Sequence, residues 1–344
     1  MTTRKSLTIG SREIGAGRPC FVIAEAGINH NGDVKIAAEL VEAAAAAGAD
    51  AIKFQTHLPE FEMLKGGATA AYVGESLFDL LTRTALSPEG HIEMRELAKR
   101  KGIIFLSTPF SREAADYLEG IGVPAFKTGS GELTNIPLQR HIARKGKPMI
   151  VSTGMSTPEE IDATVRALDS EHANFALMHC TSTYPTPYEH VQLGCIAALQ
   201  AKYGVPVGFS DHTLGTAISL AAVASGANIF EKHFTASRAL PGPDQQGSME
   251  PKELAALVKD IRAIEQSLGA TKQIQPGEQD VRDMALHSVV SIRDVAAGAT
   301  IAAADVWVKR PGTGIPAGQL QDVIGKVAKR AIAKDTLISR DDLG

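Results

Sequence analysis

Two lysines carry the first chemical signal. Lys53 and Lys127 each interrupt an apolar run, AIKFQ and AFKTG. Lysine is almost never fully buried without a partner. Two ammonium groups beside Ser and Thr hydroxyls and the turn TGSGE would make an anion site, for a phosphate or a carboxylate. The alternative is that each lysine pairs with a nearby carboxylate, Glu25 or Glu132. His212 and His233 end two successive apolar runs. Two neutral imidazoles plus waters suit a Mn²⁺, Fe²⁺ or Zn²⁺ ion; the alternative is a pair of satisfied core histidines. His30 and His179 fit that second role better. Glu231 and His233 lie two apart and share one strand face, whereas Lys232 faces the other way. Glu25 in cationic surroundings would stay ionised and could accept a proton, or it could form a salt bridge to Lys53.

These residues must be held by regular elements, and the chain supplies them in a repeating order. Eight apolar runs end in polar clusters: FVIAEAG, DAIKFQT, IIFLSTP, AFKTGSGE, PMIVSTG, FALMHCTSTYP, PVGFSDH and NIFEKHF. Without strict alternation they read as buried parallel strands. Helical spacing fills the intervals, as in 34–47, 88–101, 111–119 and 157–168, with 250–268 closing the set. Thr157, Pro158 and Glu160 form an N-terminal capping signal. Eight strand–helix alternations predict an α/β (β/α)8 TIM barrel, whose catalytic residues project from the carboxyl ends of the strands. A doubly wound sheet is the alternative, and no GxGxxG follows the first strand. The barrel domain is read as 1–272, a Pro- and Gly-containing linker as 273–284, and a small β-rich domain as 285–344. Within that last part Val295, Ile301, Asp305 and Val306 align with Ile332, Ile338, Asp342 and Leu343, which predicts an internal repeat.

Composition narrows the class. The 344 residues are 44% hydrophobic and 22% charged, with a net charge of −4, so there is no basic surplus to bind nucleic acid. No apolar segment predicts a membrane span or a signal peptide. Three cysteines without CxxC spacing argue against a disulfide framework and fit a cytoplasmic protein.

The motifs IAEAGINHNGD, AIKFQT, KTGSGE, STGM, CTSTYPTP, GFSDHT, EKHFT, PGPD and KRPGTG occur in this order on the expected strand ends and loops. Together they closely resemble the sialic acid synthase family, from about Pro19 to Leu343, with the C-terminal part resembling the antifreeze-like (SAF) domain of its members. The resemblance implies condensation of phosphoenolpyruvate with an N-acyl hexosamine to give a nine-carbon 2-keto sugar acid. It implies that phosphoenolpyruvate is held by Lys53, Thr108, Lys127, Ser130, Ser152, Ser182 and Ser210. Some bacterial members have Asn in place of Ser182. A divalent metal, Mn²⁺ or Mg²⁺, is implied on His212 and His233. The acceptor sugar is implied to meet Glu25, Gln55, Glu132, Tyr184 and Asp244, with Glu25 handling protons as the catalytic residue. Arg310 is implied to arrive from the partner subunit of a domain-swapped homodimer. The loop around Gly74 replaces an acceptor-binding Asn of some members and receives no role.

N-acetylmannosamine, giving N-acetylneuraminate, is the leading acceptor, and 2,4-diacetamido-2,4,6-trideoxymannose, giving diacetyllegionaminate, is the alternative. A synthase acting on a sugar phosphate would need a further basic site, for which no spare Arg pair is visible. A non-catalytic ice or carbohydrate binder would need a regular Thr-rich face, and Thr300, Thr313 and Thr336 are scattered.

Overall fold

The computed structural model describes residues 6–65 and 75–344; the loop position Gly74 lies outside the described residues. The chain divides into two compact units, Met1–Leu268 and Gly269–Gly344.

The first unit opens with an antiparallel hairpin, β1 (Leu7–Ile9) and β2 (Arg12–Ile14). Eight strands follow: β3 (Phe21–Gly27), β4 (Ala51–Thr56), β5 (Ile104–Pro109), β6 (Phe126–Thr128), β7 (Met149–Ser152), β8 (Phe175–Cys180), β9 (Val207–Asp211) and β10 (Ile229–His233). They form one sheet in the order β5-β4-β3-β10-β9-β8-β7-β6 with every described pairing parallel, a near-closed barrel. All eight apolar runs therefore become strands. The helices fall where the periodicity places them, including Val34–Ala46, Pro88–Lys101 and Pro251–Ser267. The Thr157–Glu160 capping box forms with both of its hydrogen bonds.

The period of two sorts the side chains into layers. One face of the strands, with Val22, Ile52, Phe105, Phe126, Val151, Leu177, Phe209 and Phe230, packs against the helices. The other face fills the barrel interior with Phe21, Ile23, Ala51, Leu106, Ala125, Ile150, Ala176, Met178 and Ile229. Leu7, Ile9 and Ile14 of the hairpin join this inner cluster, so the hairpin closes one end. One step further along the same face, toward the carboxyl ends, come Glu25, Lys53, Thr108, Lys127, Ser152, Ser210 and Glu231. The polar site is thus the last interior layer, resting on an apolar floor.

The second unit carries β11 (Ser288–Ser291) and β12 (Val306–Lys309), paired antiparallel. The stretch 273–284, expected as a linker, is helical over Glu278–Ala285. Gly277, at φ 88°, starts that helix, and Glu278 and Asp280 in its first turn suit the helix dipole. The repeat is visible as a local pseudo-two-fold. Val295 and Ile332 exchange both backbone hydrogen bonds at 2.8 Å. Asp305 accepts from the Ala302 N–H just as Asp342 accepts from the Ser339 N–H. Val295, Ile301, Val306, Ile332 and Ile338 share one core.

Candidate active site

Parallel register places the charged groups side by side. Glu25 on β3 is the register partner of Lys53 on β4 and of His233 on β10. A bulge just after Glu25 ends the regular pairing, and Gly27 takes φ 53°. Lys53 Nζ lies 2.7 Å from Glu25 Oε2 and 3.7 Å from Glu231 Oε2, and it donates to Thr108 Oγ1 at 3.1 Å. Lys127 Nζ donates to Ser152 Oγ at 2.6 Å and lies 3.6 Å from Glu231 Oε1. Ser210 Oγ donates to Glu231 Oε1 at 3.2 Å. Both lysines and both carboxylates are buried. The ion-pair alternative weighed from the sequence is thus partly realised: Lys53 pairs with Glu25, and Lys127 faces Glu231 rather than Glu132.

Two buried lysines face two buried carboxylates, and their titration is uneven. Burial alone would raise Glu231, but Lys127 and then Lys53 outweigh it and hold the carboxyl at about 2. Burial pushes Glu25 above the ordinary carboxylate range; Lys53 opposes this and the charge of Glu231 adds to it. Glu25 is therefore harder to ionise than the sequence suggested, because desolvation exceeds the help of one lysine. Lys53 is raised, with the attraction of Glu231 and Glu25 exceeding its desolvation. Lys127 is lowered, chiefly by burial, and is the ammonium with the most to gain from an incoming anion.

Beside Lys127 the chain gathers serine hydroxyls. The Gly154 N–H donates to Ser130 Oγ at 3.2 Å. A β-carbon at Gly154 would fall 2.6 Å from Ser130 Oγ and 2.5 Å from Ser182 Oγ. Only glycine lets both hydroxyls and the backbone converge there. Ser130, Ser152, Ser182 and Lys127 come from the ends of β6, β7 and β8, so a phosphate-sized anion would meet donors from three strands.

The histidines stand next to this layer. Their ring centroids are 5.7 Å apart, and the Tyr184 ring lies 4.2 Å from His212 and 5.9 Å from His233. Burial, then His233, drops His212 to about 4, so it is neutral. Its Nδ1 lies 2.8 Å from the Thr181 carbonyl oxygen; an oxygen there only accepts, so Nδ1 carries the hydrogen and Nε2 keeps a lone pair. His233 Nδ1 is buried with no hydrogen-bond partner among the described residues. Two available imidazole nitrogens fit a divalent ion. No group of three or more His, Cys, Asp or Glu side chains with metal-site geometry occurs among the described residues, so substrate or water would complete any coordination. A cavity of about 320 Å³ opens here, lined by Tyr184, His212, His233, Asp244 and Gly247 among others.

Gln55, Glu25 and Asp244 gather around Gly27, whereas Glu132 and Arg310 are not among its neighbours. A β-carbon there would sit 3.5 Å from Gln55 Nε2, 3.5 Å from Glu25 Oε1 and 3.8 Å from Asp244 Oδ2. Gln55 Nε2 donates to Glu25 Oε1 at 3.3 Å. Glu132 accepts from Asn135 Nδ2 at 2.8 Å, and burial raises its carboxyl. Arg310 is exposed on the second unit, with Nε donating to the Ala285 carbonyl at 3.1 Å.

Comparison with known proteins places this arrangement. Residues 40–273 match the NeuB family and residues 287–344 match the SAF domain. The chain belongs to the NeuB family. An uncharacterized protein of Methanocaldococcus jannaschii is 41% identical over 98% of this chain and 99% of its own length. The N,N'-diacetyllegionaminic acid synthase of Legionella pneumophila is 39% identical over 92% of each chain. The N-acetylneuraminic acid synthetase of Leptospira borgpetersenii is 37% identical, with a TM-score of 0.73 over 81% of this chain and 95% of that one. This NeuB-family chain is accordingly an enzyme of the sialic, legionaminic or pseudaminic acid synthase type.

Several NeuB-chain residues take roles that motif reading did not assign. Glu231 sits between both lysines. Its place on the His233 face was legible, but its partners come from β4 and β6. Gly154, read only as part of STGM, turns out to make room for the serine hydroxyls. His30 and His179 are packing residues. His30 Nδ1 accepts from the Gly32 N–H at 3.0 Å and burial drops the ring to about 4, while His179 Nε2 donates to the Val191 carbonyl at 2.7 Å. No helix among the described residues is long and apolar enough to cross a membrane.

Proposed function

We propose that this chain condenses phosphoenolpyruvate with the open-chain aldehyde of an N-acyl hexosamine and water, releasing a nine-carbon 2-keto sugar acid and phosphate. The observation that carries this reading is a single interior layer where two buried lysines and a serine cradle lie beside the His212–His233 pair. Phosphoenolpyruvate bears a phosphate and a carboxylate. Lys127, Ser130, Ser152, Ser182 and the Gly154 region suit the first, and Lys53, Thr108 and Ser210 suit an anionic end near Glu231. His212 and His233 would hold Mn²⁺ or Mg²⁺, which when bound supplies Lewis-acid polarisation of a carbonyl oxygen. Carbon 3 of phosphoenolpyruvate attacks the aldehyde carbon, water adds to the oxocarbenium-like carbon 2, and phosphate leaves by C–O cleavage. Lys53 and Lys127 orient the first substrate, and Gln55, Glu132, Tyr184 and Asp244 orient the second. Glu25, with its raised carboxyl 2.7 Å from Lys53, takes the proton of the attacking water or returns one to the new hydroxyl.

N-acetylmannosamine leads as acceptor, in line with the Leptospira relative. The Legionella relative favours a second reading, 2,4-diacetamido-2,4,6-trideoxymannose. Phosphate release from phosphoenolpyruvate, measured over a panel of acceptors with and without chelator, separates these readings. Release is expected only with an unphosphorylated N-acyl hexosamine plus Mn²⁺ or Mg²⁺. Turnover with sugar phosphates alone, or full turnover in chelator, would overturn the proposal.

The proposal includes a homodimer in which Arg310 enters the partner's site to meet the acceptor's N-acyl group. Its support is the exposure of Arg310 on a small unit and the resemblance of KRPGTG. Heterodimers joining an Arg310→Ala subunit to a His233→Ala subunit decide the matter. Donation between subunits leaves one site intact, so activity should return to about half the wild-type value per dimer, one working site of two. Donation within a subunit leaves both sites defective, and activity should stay absent.

A further inference from the structure

A hydrogen-bond chain runs from a buried carboxylate outside the site to Glu25. Its members are Glu62, His57 and Gln55, and only Gln55 figures in the reading above. His57 Nδ1 lies 2.9 Å from Glu62 Oε2, and His57 Nε2 lies 3.0 Å from Gln55 Oε1. The Leu58 N–H donates to the other Glu62 oxygen at 2.5 Å. The His57 ring stacks on Phe110 with centroids 4.2 Å apart and planes 15° apart. Both side chains of the His57–Glu62 pair are buried, 6% and 4% exposed.

With Glu25 and Glu62 both acting as acceptors, donor and acceptor counting assigns the hydrogens of this chain. Glu25 Oε1 faces the Gln55 amide nitrogen, so Gln55 presents its carbonyl oxygen to His57. A carbonyl oxygen only accepts, hence His57 Nε2 carries a hydrogen. Glu62 accepts from the Leu58 N–H and offers its second oxygen to His57 Nδ1, so Nδ1 carries a hydrogen as well. A ring that donates from both nitrogens is an imidazolium. The ionisable groups facing it are Glu62 on its own segment, Glu25 beyond Gln55, Glu132 near Glu62, and the neutral His30. Phe110 supplies the flat apolar wall.

We propose that His57, held as an imidazolium by Glu62, is a positioning residue that fixes which way the Gln55 amide points. With the amide nitrogen toward Glu25, the second N–H of Gln55 is left to donate to an acceptor-sugar oxygen. A neutral His57 would present a lone pair and favour a flipped amide, which offers the sugar an acceptor instead. The pair therefore sets the hydrogen-bond pattern for the sugar without touching it. This inference rests on Gln55 lining the acceptor site of the proposed synthase.

The test begins without turnover. The full chain is labelled with ¹⁵N-histidine, and long-range ¹H–¹⁵N correlations are recorded at about pH 7.5, one unit above the ordinary histidine value. His57 is assigned by its loss in His57→Gln. Both of its ring nitrogens are expected at protonated shifts, and the near-isosteric Glu62→Gln variant should return the ring to a neutral tautomer at that pH. In the kinetic arm, Glu62→Gln should raise the acceptor KM about tenfold, the worth of one well-placed hydrogen bond, and leave the phosphoenolpyruvate KM unchanged. A neutral His57 in the wild-type spectrum overturns the proposal, as does an equal rise in both KM values. The spectrum needs no identified sugar, so failure of the synthase reading and failure of the His57 proposal are told apart.

Discussion

Replacing His233 with alanine is expected to lower kcat by about 10³-fold and to abolish tight Mn²⁺ binding. The magnitude follows from the chemistry. Polarising an aldehyde oxygen as it gains charge contributes several kcal/mol that exist only in the transition state, and each ~1.4 kcal/mol is a factor of ten. Stability should change little, because His233 Nδ1 has no hydrogen-bond partner to orphan among the described residues. Titration of Mn²⁺ into the apo-protein by calorimetry reads the binding loss directly, and steady-state phosphate release reads the rate. Unaltered Mn²⁺ affinity in His233→Ala would remove the histidine pair from the site. His212→Ala should behave alike, since its Nε2 lone pair would be the matching ligand of the proposed site, with the Thr181 contact orienting the ring.

The second large effect belongs to Lys127. Lys127→Met keeps the stem and deletes the ammonium, which leaves Glu231 with Lys53 and Ser210 alone. Breaking a buried pair from one side costs about 3–5 kcal/mol, since an uncompensated charge remains. Urea denaturation at neutral pH should show that loss. The pH dependence has a definite sign. A carboxyl held at about 2 in the folded protein contributes stability above its unfolded value of about 4.3, and loses it as the pH falls through about 2. Without Lys127 the folded carboxyl rises, so the variant should lose stability at a higher pH than the wild type. The phosphoenolpyruvate KM should rise by at least about 10²-fold, from the loss of a charge-assisted contact to phosphate of about 3 kcal/mol, while the acceptor KM stays near its wild-type value. Parallel loss of both would place Lys127 in the scaffold rather than in the anion site.

Much of this protein is legible in its one-dimensional pattern, for identifiable reasons. Eight apolar runs with polar ends predict eight buried strands, because a parallel strand covered on both faces must be apolar throughout. The period of two puts Lys53, Gln55, Lys127, Glu231 and His233 on interior faces, since alternation is a property of a single strand. The pairing of Thr157 with Glu160 is equally local, and the repeat in the second unit is a comparison of the chain with itself. What lies between strands is not local. Lys53 and Lys127 are 74 positions apart in sequence, yet Glu231 lies within 3.7 Å of both because β10 joins β3 and closes the circuit. Hence neither the role of Glu231 nor the raised carboxyl of Glu25 could be read beforehand: each depends on how much burial is left uncompensated by charges from other strands. The same holds for Gly154, whose missing β-carbon matters only because Ser130 and Ser182 converge on it from β6 and β8. The strand-end lysines and hydroxyls that suggested an anion site are therefore a property of the residues, whereas their charge balance, the convergence of the serine hydroxyls and the orientation of the Gln55 amide are decided by closure of the barrel, which alone brings strand ends within hydrogen-bonding distance.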